Sequence, residues 1–211
     1  MGGMHHKTLL FDFDGTIAAT VEAGVAIFNQ LAERHGFSEI TPGNTDDLRS
    51  KGPREAMKAL SIPAFRAPFV LRRLRIGIRR ELPSIRTVRN MRPTLLALKQ
   101  KGYFLGIVTS NSRENVLEFL KNNHIDFFDH IEGDVGLFGK ARAIKRAIAQ
   151  NRLPENGVVF VGDEIRDVEA AKKNGIPVIA VTWGTNSRAG FMRVRPDYIV
   201  DTTEELLKIL A

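Results

Sequence analysis

The chain has 211 residues, 43% hydrophobic and 26% charged, with no cysteine. This is an ordinary globular composition, long enough for one domain with an insertion or for two small domains, and it excludes wholesale disorder. Disulfides, thiolate metal sites and a cysteine nucleophile are excluded outright. No apolar run nears the ~18 residues of a membrane span, and Leu9-Leu10-Phe11 is cut short by Asp12 before it can form a secretory core. The expected location is therefore the cytoplasm, with Met4 read as the natural start. The formal charge is +7, yet the segment 66–92 holds nine arginines against one acid, Glu81, which leaves the remainder at −1. Any attraction for anions belongs to that segment.

In chain order, Thr8-Leu9-Leu10-Phe11 reads as a buried strand ending at Asp12. Val21, Val25, Phe28 and Leu31 step at helical spacing, and Gly36 suits the stop of that helix. Pro42-Gly43 and Gly52-Pro53 then break the pattern. A short helix is expected from Pro53 to about Leu60, and another from Ala67 to Leu82, ended by Pro83. Phe65 and Phe69, read as one helical turn apart, are expected to cover the interior of this region. Pro93 to Lys101 reads as a helix opened by proline. Phe104–Val108 follows as a buried strand, then helices over 113–122 and 140–151. Val158–Val161 is a third buried strand, followed by a helix from Asp167 to Asn174 with Gly175 at its end. Pro177–Val181 and Tyr198–Val200 are further strands, and Thr202 with Glu205 forms a capping box for a last helix. Near-continuous apolar strands alternating with helices predict a doubly wound α/β core with a parallel sheet, interrupted after its first strand by a helical insertion. The expected division is 1–18 and 91–211 for the core and 19–90 for the insertion.

In such sheets ligands bind beyond the carboxyl ends of the strands. The first strand runs into Asp12, Phe13, Asp14, Gly15 and Thr16. The second runs into Thr109, Ser110 and Asn111, and the third into Gly162, Asp163, Glu164 and then Asp167. Polar turns explain one such cluster; three with this division of types point to a site. Acids gathered at one edge repel one another unless a cation or proton intervenes. An all-oxygen set without histidine or cysteine suits Mg²⁺. Asp12 and Asp14 would share one face of a regular strand. Where the chain turns, one can aim at a substrate and the other lie beside it, a division suited to nucleophile and general acid–base. Thr109 offers a hydroxyl, Ser110 and Asn111 offer N–H groups before a helix, and Lys140 offers a point charge, the set that phosphoryl transfer needs.

These segments, in this order, resemble the haloacid dehalogenase-like hydrolase superfamily, over about residues 7–18 and 91–211. The motifs are Asp12 to Thr16, Ile107 to Asn111, Lys140, and Val161 to Asp167. The residues after Lys140, Ala141-Arg142-Ala143, lack the proline common there in relatives. The resemblance implies that Asp12 attacks phosphorus and that Asp14 protonates the leaving oxygen, then activates water. It implies that Thr109 and Lys140 hold the phosphoryl oxygens, assisted by Ser110 and Asn111. Mg²⁺ would sit on Asp12, the Asp14 carbonyl and Asp163, with Asp167 in or just behind the shell. Residues 19–90 resemble the helical cap of phosphoglycolate phosphatase-like members, and Arg54 and Lys51 stand at about the place of a loop that contacts the leaving group.

The function expected is Mg²⁺-dependent hydrolysis of a small phosphorylated metabolite. Mutase chemistry stays open, as does phosphonate cleavage through a cap lysine, Lys51 or Lys58. Asp14 argues against dehalogenation, since true dehalogenases lack the second aspartate. The arginine segment motivates a nucleic-acid or anionic-partner role, which its few aromatics disfavour. Oligomeric state is left open.

Overall fold

The computed structural model describes residues 8–136 and 139–210; the expected start at Met4 lies outside them. Strand β1 (Thr8–Phe11) is followed by four helices, α1 (Val21–His35), α2 (Thr45–Arg49), α3 (Pro53–Ala59) and α4 (Ala67–Glu81). The chain then alternates: α5 (Met91–Gln100), β2 (Phe104–Val108), α6 (Arg113–Asn122), β3 (His130–Glu132), α7 (Lys140–Gln150), β4 (Val158–Gly162). It ends with α8 (Ile165–Lys173), β5 (Val178–Val181), α9 (Arg188–Val194), β6 (Tyr198–Val200) and α10 (Thr203–Ile209). The strands form one parallel sheet in the order β3-β2-β1-β4-β5-β6.

Strand residues alternate between two apolar layers. Leu9, Phe11, Val159, Val161, Ile179 and Val181 face the layer containing Leu95, Phe119 and Leu206, from α5, α6 and α10. Leu10, Val158, Phe160, Val178 and Ala180 face Ile144, Val168 and Phe191, from α7, α8 and α9. Burial on both faces is why these strands read as unbroken apolar runs. The first three strands step one way from β1 and the last three step the other way. The order reverses where β1 meets β4, and the register there pairs Phe11 with both Ile107 and Val161. Asp12, Thr109 and Asp163 consequently leave the sheet at one edge, at its switch point.

The helical insertion has its own apolar cluster of Phe28, Ala32, Phe37, Leu60, Ile62 and Val70. Its two connections to the sheet run side by side: the Ala19 N–H donates to the Arg86 carbonyl and the Val88 N–H to the Ile17 carbonyl. α4 packs its apolar side on α1, with the Gly77 backbone lying against Ile27.

Several expectations shift. Phe65 is 80% exposed, because it lies in a 3-10 turn (Ala64–Arg66) before α4 and not on that helix. Phe69 alone packs inward, edge-on to His35. α5 begins at Met91, so Pro93 occupies the third helical position, where a missing N–H costs nothing within the first turn. β3, α2 and α9 were not foreseen; each is at most seven residues long, too short to display a period.

Candidate active site

The Asp12 N–H donates to the Val161 carbonyl at 2.8 Å, carrying the pairing of β1 with β4 one residue past the strand. The chain then turns. The N–H groups of Ile17 and Ala18 both donate to the Phe13 carbonyl, and Gly15 adopts φ +75°, where a side chain would also run into the Asp163 carboxylate. Phe13 is driven inward against Phe119. This turn separates the two acids. Asp12 stays buried, its Oδ1 accepting from the Phe13 N–H at 2.8 Å, whereas the Asp14 carboxylate accepts from Asn111 Nδ2 at 3.1 and 3.2 Å.

Lys140, the first residue of α7, enters from the crossover between β3 and β4. Its Nζ lies 2.7 Å from Asp12 Oδ2 and 2.5 Å from Asp167 Oδ1, with only 5% of the residue exposed. Asp167 Oδ2 accepts from the Glu164 N–H, so this carboxylate both pairs with Lys140 and holds the start of α8. Asp163 is fully buried, its Oδ1 accepting from Thr16 Oγ1 at 2.7 Å and its Oδ2 from the Thr185 N–H at 2.8 Å. Carboxylate oxygens of Asp12, Asp163 and Asp167 lie within 4.8 Å of one another. Thr109 is fully buried; its hydroxyl oxygen accepts from the Asn111 N–H at 3.1 Å, which leaves its own O–H to donate. The Asn111 side-chain oxygen takes the Ser112 N–H and Asn115 Nδ2, fixing which end of the amide faces Asp14. Ser110 follows Thr109 at the strand exit, half-buried, two residues before the Ser112 cap of α6.

Burial and neighbouring charge shift three of these aspartates. Burial, then the charge of Asp12, pushes the Asp14 carboxyl up to about 7, partly offset by the Asn111 hydrogen bond. Burial and the same neighbour hold Asp163 well above the ordinary range. Asp167 is also raised by burial, against the opposing pull of Lys140. Burial pulls the Lys140 ammonium down, but Asp12 and Asp167 outweigh it and keep the group charged.

The sheet edge thus gathers Asp12, Asp14, Thr109, Ser110, Asn111, Lys140, Asp163 and Asp167. Asp14 joins it through Asn111; its carboxylate is not in the close group of three. Lys51 and Arg54 are not brought in. The Lys51 ammonium pairs with Asp47, and Arg54 is exposed. Lys51 and Lys58 line an open cavity of about 520 Å³ with Ser50, Glu55, Ala59 and Arg193, apart from the carboxylate group. Glu164 pairs with Arg166 at 2.5 Å and stays mostly covered. Trp183 is a packed loop residue, its indole N–H on the Thr16 carbonyl. The sequence placed Thr16 in the first motif without a role, and it did not single out Arg49 or Asn186. Thr16 carried a signal, a hydroxyl four residues past Asp12 in the same turn. Arg49 and Asn186 lie 137 residues apart and carried none.

The sequence matches the haloacid dehalogenase-like hydrolase family over residues 9–181. It is 30% identical over 203 residues to the phosphoglycolate phosphatase of Synechococcus elongatus, covering 96% of each chain. It is 26% identical over 215 residues to a pyrophosphatase of Bacillus mycoides, covering 99% of this chain and 98% of the relative. The fold superposes on a haloacid dehalogenase-like family hydrolase from Streptococcus pneumoniae with a TM-score of 0.78 at 23% identity, over 98% and 99% of the two chains. Acids and Lys140 converging at the switch point, in the motif order of that family, agree with these matches: the chain is an enzyme of the haloacid dehalogenase-like hydrolase family.

Proposed function

We propose that the protein is a Mg²⁺-dependent phosphatase that hydrolyses small phosphate monoesters through a phosphorylated Asp12. The observation that carries this is the bridge of Lys140 between Asp12 and Asp167 beside Asp163: a restrained carboxylate within a close group of three that could hold a cation. The donor set fits a small hard dication: three buried carboxylates, all oxygen, of which Asp163 and Asp167 are raised toward protonation by burial and, after it, by the charge of neighbouring acids. Asp12 and Asp163 would hold the ion with the Asp14 carbonyl, and Asp167 would stand behind them. Once bound, the ion would supply the charge that lets an anionic phosphoryl group approach a carboxylate.

The chain's own residues then divide the work. Asp12 forms a bond to phosphorus as the bond to the leaving oxygen breaks, and the Asp14 acid gives that oxygen its proton. The Asp14 carboxylate next takes a proton from water, whose oxygen attacks phosphorus and frees Asp12 with inorganic phosphate. The Thr109 hydroxyl, the Ser110 and Asn111 segment and Lys140 hold the phosphoryl oxygens. Residues 19–90 act as a cap over this edge. Phosphoglycolate and pyrophosphate are the first substrates to test, given the two relatives. The test is phosphate release from a panel of esters with Mg²⁺ and with EDTA; metal-dependent release supports the reading, and none from any ester overturns it.

A stability measurement checks the same site without turnover. Asp14 titrates near 7 in the folded chain and near ~3.9 unfolded, so the metal-free fold binds protons the unfolded chain has released. Stability from this group is therefore present at low pH and is lost as pH rises through about 7; raised Asp163 and Asp167 act in the same sense. Thermal midpoints in EDTA should fall between about pH 5 and 8, and Mg²⁺ should restore more at the higher pH. A flat profile unaffected by Mg²⁺ contradicts the acid cluster as a metal site.

A second reading rests on α4, which exposes Arg72, Arg73, Arg75, Arg79 and Arg80. None of these pairs with a carboxylate among the described residues. Such a face steers small anions or holds a polyanion. Steering predicts that kcat/KM falls as ionic strength rises. An electrophoretic shift at physiological salt, retained in Asp12→Asn, would instead indicate polyanion binding.

A further inference from the structure

The loop between β5 and α9, residues 182–187, belongs to no motif, yet it touches both the acid cluster and the helical insertion. Asn186 is its centre. The residue is 5% exposed, and its backbone N–H donates to the Asp163 carbonyl at 3.0 Å. Its Oδ1 accepts from the Ile165 N–H, the first of α8, at 2.9 Å. Its Nδ2 donates to the carbonyls of Arg49 and Lys51 at 2.9 and 3.0 Å. Both amide hydrogens are used, and the acceptor faces a donor. An aspartate of the same shape would set an oxygen against two carbonyls.

Arg49 closes the contact from the other side. Its guanidinium donates to the carbonyls of Thr182 and Gly184 at 2.6 and 3.1 Å, while its own carbonyl accepts from the Ser187 N–H at 2.9 Å. Arg193 adds a bond to the Ser50 carbonyl and a pair with Glu55. The approach is close. A side chain at Gly184 would strike Asp163, and one at Gly190 would press on the Arg49 and Ser50 backbone. The 49–51 turn and the Asp163 loop are thus held by the same short loop, with Thr185 bonded to the Asp163 carboxylate itself.

We propose that Asn186 is a positioning residue that couples the seat of the insertion's 49–51 turn to the geometry of the Asp163–Asp167 loop, so that releasing one loosens the other. The proposal rests on the reading of that loop as a cation site, and it is tested by readouts that need no turnover. Arg49→Ala is the decisive variant, because it leaves Asn186 and every carboxylate in place and reaches them only through the 182–187 loop. The first readout is hydrogen exchange in metal-free protein. Arg49→Ala and Asn186→Ala should each speed exchange at the Ile165 amide by about tenfold or more, whereas a purely local role for Arg49, which holds the Gly184 carbonyl, would confine the loss of protection to Thr185 and Ser187. The second is calorimetric Mg²⁺ titration. Each variant should weaken binding about tenfold, as loss of a ligand's hydrogen-bonded support does, and the double variant should weaken it by much less than the product of the two. Should Asn186→Ala fail to fold, Arg49→Ala still decides. Unchanged exchange at Ile165 in Arg49→Ala overturns the coupling. Absence of Mg²⁺ binding in the wild type overturns the metal reading and leaves the exchange result to judge Asn186.

Discussion

Replacing Asp12 with asparagine is expected to cut phosphate release by about four orders of magnitude or more, while the fold becomes no less stable. Amide nitrogen cannot serve as the attacking oxygen, and the remaining amide oxygen is a far weaker nucleophile than a carboxylate. The stability half of the prediction follows from the crowding around Asp12. Its charge is among the leading causes that raise Asp14 and Asp163, and it also opposes ionisation of Asp167. Removing that charge relieves repulsion among the remaining acids, and Lys140 keeps Asp167 as its partner at 2.5 Å. Asparagine also retains an acceptor for the Phe13 N–H. Phosphate assays and thermal midpoints on the two proteins should therefore move in opposite senses, or the midpoint should hold while activity vanishes. Collapse of both together would make Asp12 a structural residue.

Lys140→Met should be costly in both measures. Methionine keeps much of the length and bulk of the side chain, so the loss is of charge more than of packing. The ammonium is the cation that both Asp12 and Asp167 contact directly, in surroundings where Lys140 itself is 5% exposed. Taking one partner from a buried charged pair costs about 3–5 kcal/mol. The cost should be greatest at high pH, where the orphaned acids cannot escape by protonation, and Mg²⁺ should recover part of it by replacing the missing positive charge. Activity should fall by about a hundredfold or more, because the lysine also faces the phosphoryl oxygens in the proposed reaction. Wild-type stability in EDTA at pH 8 would show that the acids do not depend on Lys140. A matching kcat would remove it from the reaction.

Lys140 also shows how far the sequence could be read. Alone it was one lysine among many; its position between the second and third buried strands was the clue. The parallel sheet places it, because the crossover from β3 to β4 must open at the edge where Asp12 and Asp163 emerge. The core elements were legible for the same reason. Apolar runs such as Val158–Val161 can be satisfied only by burial on both faces, and Phe104–Val108 follows the same logic, whereas Tyr198–Val200 is an edge strand that buries only Val200 fully. Elements that draw their stability from neighbours were not. β3, three residues at a sheet edge, exists because Gly106 to Val108 offer it a ladder. α9 is seated by the Ser187 cap and by the close approach at Gly190.

The insertion was the least legible part. Its spacing located α1 and α4, yet it gave Phe65 an inward position that a 3-10 turn denies it. The family resemblance drew attention to the charged side chains of Lys51 and Arg54, whereas the structure ties this turn to the core through backbone carbonyls and Arg49. A carbonyl has no letter in the sequence. Contacts between Asn186 and the 49–51 turn are set by the folded path of two distant loops, and no local pattern announces them.

The claim on which the account turns is that Asp12 itself becomes phosphorylated. The most direct measurement is to quench a single turnover of the best panel substrate, reduce the protein with borohydride and sequence the peptide carrying Asp12 by mass spectrometry. An acyl phosphate at that side chain is reduced to the alcohol, so homoserine is expected at position 12, dependent on Mg²⁺ and on substrate. Rapid phosphate release with an unmodified Asp12, or with the label on another residue, would contradict it.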